Sequence, residues 1–425
     1  MNNKRKIIDL SLSTKDNFEG LILVFLLFFL TNPYFFWKWY ANLFVTVLVS
    51  TIAMVLFWRH TGKLTNEQKS VFVFYAFVWL FYMFNEFSKG ARMGVLAYVP
   101  YIMLGLVPFV KREFAKVVFN NFVSVYAIII GLSMISWIAA MLGYISPIGR
   151  IGEDIEALNA QGKVYLVYPL SLVYIGDLAE FARFCGLFGE PGVVGTLGGL
   201  MLCALRYNMK DWRCIVILFS GLLSTSMFFY GLTAVFWLSE LLFVKKKFGV
   251  ILLLVAGIGV SYVLTKDNDA ISYLVWDRFE WNASEGKFNG DTRGGFSESK
   301  IMQKIVPSGE VWLGVHDKEG FWDEGMIGAS LWAAFAMWGA IFVSLYIIWL
   351  LLVGYRYKVN KWDYLLYCFA VIGCMYQRPD VFSLPHTFLF IGIARYYEFQ
   401  MRSENQSIPM RRKNYQIGTA LNSNA

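Results

Sequence analysis

The sequence predicts an all-α polytopic integral membrane protein with about 12 transmembrane helices and two large outer loops, and three observations predict it. The first is composition. Of 425 residues, 57% are hydrophobic, 18% aromatic and 16% charged, whereas a soluble globular chain carries roughly 25% charged residues. Lipid, not water, is the solvent in which that much apolar surface is stable. The second is a succession of apolar runs, and the third is the clustering of Lys and Arg on alternate connections.

A polar tail, 1–19, precedes the first span; it lacks the apolar core and small-residue cleavage site of a signal peptide. Helices 1–5 fill 20–145, as the runs Gly20–Trp37, Ala41–Trp58, Val71–Phe84, Met93–Val110 and Val117–Ile145. Helices 6–9 fill 192–264, as Gly192–Leu205, Cys214–Val244 and Gly249–Leu264. Helices 10–12 fill 326–398, as Met326–Val353, Tyr364–Tyr376 and Val381–Ala394, before a tail at 399–425. The short runs need tilt or aromatic anchors to cross a core of about 30 Å.

Cys214–Val244 is too long for one span, and the polar break Leu223-Ser224-Thr225-Ser226 divides it into a hairpin. Charge supports the division. With it, Arg59–Lys69, Lys111–Lys116, Arg206–Arg213, Lys245–Lys247 and Arg356–Lys361 all lie on the cytoplasmic side, each with three Lys or Arg. The short outer connections carry fewer: Lys38, Lys89 with Arg92, and Arg378. This is the asymmetry left by insertion, with both termini cytoplasmic. It also accounts for the net charge of +8 without nucleic acid as a partner.

Two connections are long, 146–191 and 265–325, and both fall outside. The second holds Trp276, Trp281, Trp312, Phe321 and Trp322, too aromatic for disorder, so a folded cap is expected. The five cysteines form neither a disulfide framework nor a zinc pattern. Phosphate-binding glycine loops, HExxH and serine nucleophile elbows are missing, and no metal or cofactor is implied. The spans carry few ionisable groups, with Glu86 and Glu240 near ends, unlike a proton pump or ion-coupled carrier.

Three places carry candidate chemistry. Arg183-Phe184-Cys185-Gly186-Leu187-Phe188-Gly189-Glu190-Pro191-Gly192 brings Arg183 and Glu190 to the outer mouth of a glycine-rich span. Glu190 serves either as a reactive carboxylate or simply as a complement to the helix dipole. The large loop offers Arg278, Arg293 and His316, although its twelve acidic and seven basic residues between Lys266 and Glu324 make most charges ordinary surface. His316 is either a base or a surface histidine. Gln377-Arg378-Pro379-Asp380 offers Arg378, which either binds an anion or pairs with Asp380. His386, a few residues into the last span, reads as a packing residue.

On Arg183–Gly192, Ser224-Thr225-Ser226, the aromatic outer loop and Gln377-Arg378-Pro379, in that order, the chain resembles the bacterial O-antigen and capsule repeat-unit polymerases, relatives of the O-antigen ligases. Its departure from the ligases is Gly314-Val315-His316-Asp317, a loose counterpart of their loop histidine. The resemblance implies a metal-independent glycosyltransferase of the bacterial cytoplasmic membrane, joining polyprenyl-diphosphate-linked oligosaccharides at its outer face. It implies Arg183, Arg278, Arg293 and Arg378 as diphosphate and sugar anchors and Glu190 or His316 as the base. Membrane lipid is the surrounding partner, and a chain-length regulator is a partner by family analogy. The rival expectations are a ligase with the same fold, a transporter or flippase of the same lipid-linked sugars, and a membrane acyltransferase. The flippase would show a continuous polar cavity; the acyltransferase would need partners for His60 or His386.

Overall fold

The computed structural model describes residues 13–40, 42–90, 94–152, 164–175, 182–239, 241–242, 248–268, 272, 276–283, 287–289, 296–323, 331–358, 360–377, 382–396 and 399. Helices dominate them. Three are long and apolar enough to cross a membrane, and seven further apolar helices are shorter.

The chain opens with α1 (Thr14–Leu30), whose first turn is capped by the Ser13 hydroxyl accepting from the Asp16 N–H. A 3-10 turn and α2 (Trp37–Tyr40) lead to α3 (Leu43–Arg59), capped by Asn42, and to α4 (Asn66–Ser88), opened by a capping box of Thr65 and Gln68. The apolar run Met93–Val110 is not a regular helix. It passes from a 3-10 turn (Val95–Tyr98) through α5 (Val99–Met103) to a second 3-10 stretch (Leu104–Phe109) containing Pro108. The larger rise of the 3-10 form lets these fifteen residues reach roughly 27 Å. Next, α6 (Arg112–Met141) runs 30 residues, or about 45 Å. Its last turns therefore stand above the level where α1 ends.

The first long connection holds a small antiparallel sheet that periodicity did not reveal: β1 (Gly149–Ile151), β2 (Tyr165–Tyr168) and β3 (Ser171–Tyr174), in the order β1-β2-β3. After it come α7 (Pro191–Ala204), α8 (Trp212–Leu223) and α9 (Met227–Ser239). The turn between α8 and α9 falls at Ser224–Ser226, with Thr225 at φ 48°, so the expected polar break is a true reversal. Glycines on α7 and α8 permit this three-helix contact. A Cβ on Gly195 would lie 2.4 Å from Ser226 Cβ, and one on Gly221 would lie 2.2 Å from the Phe229 ring. The apolar helix α10 (Phe248–Thr265) stands clear of the bundle, with Leu252, Val255, Ile258 and Leu264 exposed.

The second long connection holds β4 (Trp281–Asn282), β5 (Lys287–Phe288), α11 (Phe296–Ile305), α12 (Glu310–Leu313) and α13 (Lys318–Asp323). The run Met326–Val353 is not one span. It divides at Gly339 (φ 85°) into α14 (Leu331–Trp338) and α15 (Ala340–Tyr357). The physical reason is packing: Ala333 and Ala336 of α14 belong with Ile301, Ile305, Val315 and Phe321 in a core separate from that of the bundle. Apolar character alone does not distinguish burial under a cap from burial in lipid. The chain closes with α16 (Lys361–Gln377) and α17 (Leu384–Ala394).

The bundle core includes an aromatic seam between α4 and α15. Tyr75, Trp79 and Tyr82 meet Phe342, Tyr346 and Trp349, with Tyr75 and Trp349 centroids 4.1 Å apart and Tyr82 and Phe342 4.6 Å apart. The two ends of the bundle differ. At one, the described basic connections are tied together: Arg59 to Glu19, the Lys111 N–H to the His60 carbonyl, Arg395 to the carbonyls of Pro108 and Val110, Arg356 to Glu67, and Arg206 to Asp363; Lys245–Lys247 lies outside the described residues. The sheet and the loop helices lie at the other.

Candidate functional site

The segment 182–190 crosses the sheet-bearing end beneath β3 and is held by its backbone. The Tyr34 N–H donates to the Leu187 carbonyl at 2.8 Å, the Leu172 N–H to the Gly186 carbonyl at 2.8 Å, and the Phe184 N–H to the Leu223 carbonyl at 3.2 Å. The Tyr165 hydroxyl donates to the Gly189 carbonyl at 2.5 Å. A loop anchored from four separate elements has little freedom left. Its apolar side chains are the anchors: Phe184, Cys185, Leu187 and Phe188 are buried, with Phe184 edge-on to Trp137 and Phe188 stacked near Tyr126.

Glycine is required twice. Gly186 has φ 59°, and a Cβ there would meet Ile130 Cδ1 at 2.6 Å; Gly189 lies under the Trp37 indole, where a Cβ would meet the ring at 3.1 Å. Arg183 and Glu190 flank this buried stretch, and both are half-buried. Glu190 is the N-cap of α7 in extended conformation, but its side chain makes no capping hydrogen bond. A charge at this position complements the helix dipole without such a bond, so the geometry is compatible with both the chemical and the dipole readings. Beneath the segment, the Ser133 hydroxyl lies near Gly186 and the Ser226 hydroxyl near Gly195; both are buried and have no hydrogen-bond partner among the described residues.

The second assembly at this end was not anticipated. Lys318 of α13 forms an ion pair with Glu86 at the end of α4 and donates to the Tyr82 hydroxyl at 3.0 Å. Its ammonium also faces the Tyr82 and Trp338 rings at 5.4 and 5.9 Å. Lys89 donates to the carbonyls of Leu313 and Gly314 at 2.5 and 2.9 Å. Burial pulls the Lys89 ammonium below the usual lysine value, with nearby Glu86 opposing. The Glu86–Lys89 spacing at a helix end was the available sequence signal; Lys318, 232 residues from Glu86, gave none.

His316 sits in this docked loop, exposed, with its backbone N–H donating to Glu310 Oε1 at 3.1 Å. No described hydrogen bond or ion pair joins it to Arg183 or Glu190. Arg278 lies in a 3-10 turn (Asp277–Phe279), but its side chain is outside the described set, and Arg293 and Arg378 lie outside the described residues altogether. His386 Nδ1 and the Ser383 hydroxyl are 2.8 Å apart, a local contact at the start of α17 in keeping with a packing residue.

The structure thus brings Arg183 and Glu190 to the two ends of one rigid segment and places His316 in a separate one. No protein-family model, curated protein or solved structure matches this chain.

Proposed function

We propose that the chain is a polysaccharide polymerase. In this reading it joins polyprenyl-diphosphate-linked oligosaccharide repeat units at the outer face of the bacterial cytoplasmic membrane, for O-antigen, capsule or exopolysaccharide. The observation that carries the proposal is the clamped segment 182–190, which fixes Arg183 and Glu190 at the end of the bundle opposite its basic connections. Twelve spans, cytoplasmic termini and an outer sheet-bearing end belong to the same reading. The gathering of Arg59, Lys111, Arg206 and Arg356 at the other end supports that orientation.

The chemistry follows from where the substrate is. Outside the cell no nucleotide sugar is at hand, so the activated bond arrives on the lipid carrier. The acceptor hydroxyl oxygen attacks the donor's anomeric carbon, and the bond from that carbon to the diphosphate oxygen breaks. Its electron pair leaves with the polyprenyl diphosphate. Arg183, with Arg278, Arg293 and Arg378 as further anchors, neutralises that developing charge. Glu190 takes the acceptor's proton, with His316 as the alternative base.

The test is glycan length on cells in which the gene is deleted and replaced by wild type or Arg183→Ala, each shown to accumulate in the membrane. A long ladder that collapses to a single repeat unit, still transferred to its final acceptor, is the expected result. Loss of all surface glycan with polymer retained on lipid makes the protein a ligase. An unchanged ladder removes Arg183 from the site.

A further inference from the structure

The opposite end of the bundle holds a cluster that the proposed glycan chemistry does not use and that does not rest on it. Asp16 and Glu19 stand three residues apart on one face of α1, and His60 caps the end of α3. His60 Nε2 lies 2.7 Å from Glu19 Oε2, and its Nδ1 lies 4.0 Å from Asp16 Oδ1. The imidazole is fixed in plane, stacked on Phe114 with centroids 3.5 Å apart and planes 8° from parallel. Its backbone is fixed too, because the His60 carbonyl accepts from the Lys111 N–H at 2.9 Å. The cluster opens on a cavity of about 390 Å³ whose rim includes Lys15, Lys111 and Glu113.

We propose that Asp16, Glu19 and His60 bind a divalent transition-metal cation of the Zn²⁺ type. One donor atom from each residue lies within 4.8 Å of the other two. Tetrahedral bonds of about 2.0–2.2 Å set neighbouring donors about 3.4 Å apart, so closure draws the donors together by up to about 1.4 Å, a movement the partly exposed Asp16 side chain can make. An imidazole nitrogen with two carboxylates favours Zn²⁺ over the hard cations Mg²⁺ and Ca²⁺. The cavity admits the water that completes the coordination.

Glu19 already has its outer support, because Arg59 Nη2 donates to the other carboxylate oxygen, Oε1, at 2.9 Å. Metal entry replaces the contact between His60 Nε2 and Glu19 Oε2 with two metal–ligand bonds. Burial decides cation over anion: the Glu19 and His60 side chains are 9% and 10% exposed, whereas that of Arg59 is 45% exposed. Glu19 and His60 lie deep, Asp16 is 34% exposed, and the basic groups lie on the rim.

The experiment uses the full chain in detergent, stripped with chelator and titrated with Zn²⁺, reading bound metal per chain and thermal midpoint. The expected result is one chelator-reversible Zn²⁺ that raises the midpoint. Asp16→Asn, which leaves the His60–Glu19 contact in place, should weaken binding by at least about 10-fold. Glu19→Gln and His60→Ala should abolish it. If His60→Ala does not accumulate, Asp16→Asn decides alone. Absence of stoichiometric Zn²⁺ on the wild type, or affinity unchanged in Asp16→Asn, overturns the proposal; the latter would place the ion elsewhere, for instance on the cysteines.

Discussion

At the residue scale, the proposed site depends on two end residues and the glycine between them. Gly186 adopts φ 59°, and its missing Cβ leaves room for Ile130 Cδ1. Gly186→Ala should lower stability by about 1–2 kcal/mol through the left-handed backbone alone. Shortening the neighbour in the double variant Ile130→Val with Gly186→Ala should recover the steric part but not the backbone part, which thermal unfolding of the four proteins would resolve. Arg183→Lys keeps the charge and loses the planar fork, so glycan chains should shorten, though less than with Arg183→Ala. Arg183 and Glu190 were legible because they share a short motif with its own punctuation of Gly186, Gly189 and Pro191. Lys318 was not, because its partner Glu86 is distant in the chain and a lysine in a charged loop looks like ordinary surface.

At the element scale, the breaks matter more than the helices. The reversal at Ser224–Ser226 was readable because three polar side chains interrupt an apolar run. The break at Gly339 was not, since the residues on both sides are equally apolar and the cause is remote. A Cβ on Gly339 would meet the Leu313 carbonyl carbon and the Trp312 oxygen at 2.7 Å, so α12 presses on this point from 26 residues earlier. Gly339→Val should therefore push the loop helices off the bundle while leaving the helical content intact. Limited proteolysis should then cut near 306–317 much faster than in wild type. Lys318→Ala should loosen the same cap more mildly, because Lys89 still holds the carbonyls of Leu313 and Gly314. Equal protease resistance in all three proteins would show that neither contact docks the cap. The small sheet escaped sequence reading for a simpler reason: strands of three and four residues are too short to establish a period of two.

At the scale of the whole molecule, composition and charge asymmetry carried the most information. Four of the five basic connections predicted to share one side meet at one end of the bundle, through Arg59, Lys111, Arg206 and Arg356, while Lys245–Lys247 lies outside the described residues. The span count is less legible, because irregular stretches such as 95–109 and the short α8 and α9 lack the length that marks a crossing. Membrane-impermeant thiol labelling in intact spheroplasts, on a background lacking the native cysteines, should modify Cys placed at His316 and spare Cys placed at Lys63. The reverse pattern would invert the orientation. Reconstitution reads the polymerisation reaction itself. The purified chain is placed in vesicles with lipid-linked repeat units from cells lacking the gene, without nucleotide sugars. Wild type should convert single units into a ladder of longer lipid-linked oligomers. Arg183→Ala should be slower by about 100-fold or more. Wild-type vesicles that leave the units unextended would overturn the polymerase function, and an Arg183→Ala protein that extends them at the wild-type rate would remove Arg183 from its site.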